Sequence, residues 1–173
     1  MANNKPQSIT QEMLDRINYA LRLDSATGEL YWKVTLSKRN KAGNMAGSIG
    51  KDGYRRTTID GVRLPNHRIV YAMVHGPIIG KVDVDMDHID GNRLNNIPAN
   101  LRLVSRTANT QNRRKAQSKS ITGVLGVRPH RSKYQALIRH NGVQIILGSF
   151  DTVEEASTAY MEAKRRLHLG CTF

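Results

Sequence analysis

The chain has 173 residues and carries 27 Lys and Arg against 14 Asp and Glu, a formal charge of +13. That excess favours polyanionic partners, nucleic acid first, and the length allows one or two small domains. The single cysteine, Cys171, excludes a disulfide framework and a cysteine-based zinc site, and no apolar run reaches the ~18 residues of a membrane span, so a soluble intracellular protein is expected.

In chain order, Ile9, Met13, Ile17, Ala20 and Leu21 recur at helical spacing and predict a helix over 9–22, with Ser8 and Gln11 resembling a capping box. Asp24 to Gly28 reads as a turn, and Glu29 to Val34 as a strand with Leu30 and Trp32 on one face. Short strands follow around 46–49, 54–59 and 62–64, separated by Lys51-Asp52-Gly53 and Asp60-Gly61, both with the Asp-Gly hairpin signal. A short helix is predicted over 67–74, then a strand over 82–86, a turn at Asp90-Gly91 and a second strand over 101–104. Ser105 is expected to cap a polar helix over 106–115, and 116–122 reads as a linker. Three strands over 123–129, 134–140 and 143–150 come next, the last two joined by Asn141-Gly142. Thr152 to Glu155 is a capping box, and Ala156, Ala159, Tyr160, Ala163 and Leu167 make an apolar stripe that should pack on this sheet.

The charge is unevenly spread. From Gly91 to Phe150 there are 11 Lys or Arg and no acid, and Lys33 to Arg56 holds seven basic residues against Asp52 alone. Between these stretches lie Asp83, Asp85, Asp87 and Asp90. Asp87 adjoins His88, and Asn109 follows 22 residues after Asp87. A carboxylate and an amide oxygen suit a hard divalent cation, and an imidazole titrating near neutrality can take a proton from water. Metal, base and surrounding positive charge together describe hydrolysis of a phosphodiester.

Two resemblances follow. Residues 67–112 resemble the HNH endonucleases, in particular the phage and intron homing type, through His67-Arg68, Asp87-His88-Ile89-Asp90-Gly91-Asn92, Asn95-Asn96, Asn100-Leu101-Arg102 and Asn109. Residues 120–168 resemble the AP2 DNA-binding domain through Gly123-Val124, Gly126-Val127-Arg128, Tyr134 to Ile138, Leu147 to Thr152, Glu155-Ala156 and Ala159-Tyr160. They imply an α+β architecture. A ββα-metal nuclease core would follow an N-terminal helix and small antiparallel strands. A three-stranded sheet packed on one helix would end the chain. The expected domains are a DNA-binding region over 1–65, the nuclease core over 66–115, the linker over 116–122 and the AP2-like domain over 123–173.

Carried onto this chain, the resemblance makes Asp87 and Asn109 ligands of one Mg²⁺ or Mn²⁺, with Asn112 an alternative to Asn109, and His88 the base that activates water. Asn100 would orient the loop or the His88 ring. No organic cofactor is implied. Double-stranded DNA is the expected partner, bound by a monomer without a membrane, in the cytoplasm of a bacterium or a phage-infected cell. Lys38, Arg39, Lys41, Arg55, Arg56, Arg113, Arg114, Arg128, Arg131, Lys133 and Arg139 are candidate DNA contacts, with His140 beside them. Arg68 joins them near the cut, and His67 either touches phosphate there or braces its helix. Alternation puts Gln135, Leu137 and Arg139 on one sheet face and Ala136, Ile138 and His140 on the other, without deciding which meets DNA. The expected function is site-specific DNA cleavage of the homing type. The alternatives are a DNA-binding regulator with an inactive nuclease site and a nuclease for RNA or damaged DNA.

Overall fold

The computed structural model describes residues 8–79, 84–111, 116 and 119–168, which fall into two compact units, Met1–Ser105 and Arg106–Phe173. The first unit opens with helix α1 (Gln11–Ala20), shorter at both ends than its apolar periodicity suggested. Its N-cap is Thr10, whose hydroxyl accepts from the Met13 N–H, in place of the Ser8–Gln11 box. Ile9 lies outside the helix and exchanges both backbone hydrogen bonds with Ile78. Leu21 leaves the helix for an extended conformation and starts strand β1 (Leu21–Asp24), a strand the helical spacing concealed. Pairing wins here because Leu21 opposite Trp32 buries both side chains against the same core.

Strand β2 (Glu29–Trp32) completes that hairpin, with Leu30 and Trp32 buried as alternation requires. Its turn ends at Gly28, which has φ +73°, and a Cβ there would overlap the backbone of Asn96 and Ile97. Only glycine lets the turn lie against that segment. A three-stranded antiparallel sheet follows, ordered β3 (Ser48–Ile49), β4 (Arg55–Ile59), β5 (Val62–Pro65). The β4–β5 turn is Asp60-Gly61, both with positive φ, as the primed hairpin turn demands. Helix α2 (Asn66–His75) starts directly after Pro65, and its Ile69, Val70 and Ala72 enter the core shared with Ile9, Ile17, Leu30, Ile59, Leu64 and Leu101. Elements from both sides of residue 65 therefore close over one core. The last pair is β6 (Val84–His88) and β7 (Leu101–Ser105), antiparallel with Asp87 opposite Arg102 and His88 opposite Leu101. Asp87 and His88 thus stand on the strand itself, beyond the predicted strand end at residue 86.

The second unit holds α3 (Arg106–Gln111), the sheet β10 (Val143–Phe150), β9 (Lys133–His140), β8 (Val127–His130), and helix α4 (Val153–Leu167). Ser105, the expected cap, is the last residue of β7. Asn141 and Gly142 take positive φ in the β9–β10 turn, and Thr152 with Glu155 makes the reciprocal capping box. Ala156, Tyr160 and Ala163 bury against Val127, Ala136 and Ile138, so the apolar stripe meets the sheet as expected. Tyr160 comes so close to Gly126 (φ +67°) that a Cβ would overlap its ring.

Candidate active site and nucleic-acid surfaces

The site is built where β6 ends. His88 is 4% exposed, and its Nε2 lies 3.0 Å from Oδ1 of Asn96, itself 2% exposed. An amide oxygen only accepts, so Nε2 carries a hydrogen, and the nitrogen left to take or give a proton is Nδ1. The Gly28 turn backs the Asn96–Ile97 segment, which fixes the height of that amide under the ring.

The loop from His88 to Asn100 is tied by Asp90. Its carboxylate accepts from Asn95 Nδ2 at 2.7 Å, Asn100 Nδ2 at 2.9 Å and the Asn92 N–H at 2.8 Å. Burial alone would raise the Asp90 carboxyl, but these donors outweigh it and hold it below the usual carboxylate range. Asn100 Oδ1 accepts from the Asp90 N–H, and its amide also donates to the Asn95 carbonyl. Asn100 therefore braces the loop, and the ring-orienting role falls to Asn96. The Asn95-Asn96 pair was visible in the sequence, but nothing in its spacing says which of the two reaches a ring eight residues back.

Asp87 is 9% exposed, and its Oδ2 accepts from Arg102 Nη2 at 2.9 Å and Nε at 3.1 Å, across the β6–β7 register. His67 is also buried, with its ring edge-on to His88 at 5.1 Å and tilted against Tyr54 at 5.1 Å. Burial, with the His88 ring and the Arg68 and Arg56 guanidiniums nearby, holds His67 down at about 3, so it is a neutral wall at physiological pH. Arg68 is buried too, lowered by desolvation and pulled back by the Asp85 charge. Asn109 lies half-buried on α3 and is not without a partner. Asn112, Arg113 and Arg114 fall outside the described residues.

Among the other predicted cations, Lys38, Arg39 and Lys41 are exposed between β2 and β3. Arg55 reaches the Gly47 carbonyl at 3.3 Å and Glu29 at 3.7 Å. Arg56 grips Asp52 through two hydrogen bonds of 2.7 and 2.6 Å, which hold the Asp52 carboxyl well below its usual range. In the second unit, α4 covers the sheet face bearing Ala136 and Ile138. The other face carries Arg128, Gln135, Leu137 and Arg139, joined through the register by Gln144 and Ile146. Arg128 and Arg139 are exposed there, and Arg128 donates to Gln135 Oε1 at 2.7 and 3.2 Å. Arg131 sits exposed in the β8–β9 turn, and Lys133 pairs with Asp151 at 2.9 Å. His140 instead stacks on His168, with ring centroids 6.2 Å apart.

A profile described as HNH endonuclease matches residues 65–111, a span containing Asp87, His88, Asn96, Asn100 and Asn109. An uncharacterized HNH endonuclease of Acanthamoeba polyphaga mimivirus is 30% identical over 151 residues, covering 86% of this chain and 75% of that protein. The solved HNH homing endonuclease I-HmuI, described for DNA binding and cleavage, is loosely similar over 88% of this chain and 91% of its own, at 23% identity and a TM-score of 0.40. With the mimivirus relative matched over three quarters of its length and the profile spanning the buried His88–Asn96 pair, this chain belongs to the HNH endonuclease family of nucleases.

Proposed function

We propose that this protein is a site-specific DNA endonuclease of the homing type that uses Mg²⁺ or Mn²⁺. The observation that carries the reading is the His88–Asn96 hydrogen bond, which leaves Nδ1 as the basic atom of the ring that follows Asp87 on β6. In the proposed reaction Nδ1 of His88 takes a proton from water, and the water oxygen attacks phosphorus. The bond to the 3′ oxygen breaks, and the electron pair leaves on that oxygen. The oxygen donors of Asp87 and Asn109 fit a hard divalent ion and would hold it, and when bound it supplies charge neutralisation at the departing oxygen. The open face of the C-terminal sheet, with Arg128 and Arg139, is the AP2-like DNA-reading surface in this proposal, since a strand ribbon fits the major groove and arginine reads guanine bidentately. Lys38, Arg39 and Lys41 add phosphate contacts that position without specifying.

The test is incubation of the wild type and His88→Ala with supercoiled DNA libraries, with Mg²⁺ or EDTA, followed by sequencing of the ends. Discrete, Mg²⁺-dependent ends that vanish with His88→Ala, while DNA binding survives, are expected. Sequence-selective binding without cleavage by the wild type would instead identify a regulator with an inactive site.

A further inference from the structure

We propose that Arg93, mounted on Tyr54, forms a phosphate subsite beside His88 that grips a DNA phosphodiester flanking the one being cut. The inference deepens the nuclease reading and rests on it. Tyr54 is half-buried, with its ring centroid 6.0 Å from that of His88 and 5.1 Å from that of His67. Two guanidiniums flank this ring, Arg93 at 5.1 Å and Arg56 at 5.9 Å from its centroid, within the reach of a cation–π contact.

The two are not equivalent. Arg56 is neutralised by the Asp52 carboxylate. Among the described residues Arg93 is held only by neutral groups: its Nη1 donates to the Asp52 backbone carbonyl at 2.7 Å and its guanidinium lies by the Tyr54 ring. Among the described residues its Nε and Nη2 have no hydrogen-bond partner, and the side chain is exposed. Arg16, Arg56 and Arg102, by contrast, each face a carboxylate. Arg93 is thus pinned in place with its full positive charge and a free pair of donors, the arrangement that binds phosphate bidentately with little further ordering. The shared Tyr54 ring keeps that fork within about 11 Å of the His88 ring. Successive phosphates of one strand advance only ~3.4 Å along the axis, so this reach spans the scissile phosphate and its neighbours. The phosphate ester is the ligand proposed here, because the phosphates flanking the scissile one lie within this reach of His88.

The experiment measures binding of a fluorescein-labelled 30-base-pair duplex of arbitrary sequence by anisotropy from 50 to 300 mM KCl, and in parallel the nicking of a supercoiled plasmid library with Mg²⁺. Arg93→Gln should reduce the slope of log K against log [KCl] by about 0.9, and affinity at 0.1 M by about 5- to 10-fold. Arg93→Lys should restore the slope, since it keeps the charge, and Arg16→Gln, whose charge faces Asp60, should leave it unchanged. Recovery in Arg93→Lys excludes misfolding as the cause of the loss. Wild type that nicks plasmid while Arg93→Gln shows the same slope and rate would overturn the subsite, as would an equal loss in Arg16→Gln. Arg93-dependent binding with no Mg²⁺-dependent nicking of any member of a supercoiled plasmid library would overturn the nuclease reading and leave Arg93 as a DNA phosphate contact with no cut beside it.

Discussion

At the scale of single residues, the chemistry turns on how one imidazole is held. Asn96 fixes the tautomer of His88 without touching any other part of the proposed reaction. Asn96→Ala should lower the cleavage rate by about 10- to 100-fold while leaving DNA affinity intact. Asn96→Asp should move the acid limb of the pH–rate profile to higher pH, because an anionic partner favours the imidazolium. A purely structural role would change the rate without moving the profile. His67 makes a different prediction. Its folded-state value of about 3 lies below the ordinary 6.5, so above pH 6.5 it is neutral in both states and has no effect on stability. As pH falls through 6.5 toward 3, the unfolded chain takes up a proton that the folded one refuses, and stability is lost. Between pH 7.5 and 5 the loss should be about 2 kcal/mol. Urea unfolding at the two pH values should show it, and His67→Phe should abolish that share of the difference.

At the scale of elements, the Gly-containing turns were the most legible part of the sequence, whereas of the three expected caps only Thr152–Glu155 stands, with Thr10 capping α1 in place of Ser8–Gln11 and Ser105 ending β7. The Asp60-Gly61 and Asn141-Gly142 turns and the Thr152–Glu155 cap stand as read, because each depends on chemistry within four residues. The α1–β1 boundary was not legible: Leu21 satisfies both the helical stripe and the strand pairing, and only Trp32 opposite it decides. Glycines with the same backbone angle also separate by environment. Gly126 and Gly142 both have positive φ, but Gly126 faces the Tyr160 ring, whereas a methyl group at Gly142 would meet nothing within 4 Å. Gly142→Ala should cost about 1–2 kcal/mol from conformation alone. Gly126→Ala should cost at least a further 1–3 kcal/mol, roughly, from overpacking. Chemical denaturation of the two variants would show the gap, and equal costs would mean that Tyr160 yields freely.

At the scale of the whole molecule, net charge pointed correctly toward nucleic acid chemistry but overstated how much of that charge is available. Arg56 and Lys133 are paired with Asp52 and Asp151, partners that composition cannot assign. The two open basic surfaces, the Lys38–Lys41 loop and the sheet face with Arg128 and Arg139, lie in different units. Which sheet face is free followed only from where α4 packs. Asp87 and His88 stand out in the sequence by motif and spacing, whereas the His88–Asn96 contact does not, because it depends on burial beneath a distant turn. One His88 per chain predicts that supercoiled plasmid passes through open circles before linear molecules form. A gel time course with linear product from the first point would show two sites acting together.

Gly28 has no functional group, yet its missing side chain is what lets the β1–β2 turn lie against Asn96. A genetic screen for inactive alleles would then return this position together with Asp87 and His88, although it lies about sixty residues upstream of them in the gene product. Such an allele would look catalytic by phenotype and be architectural by origin.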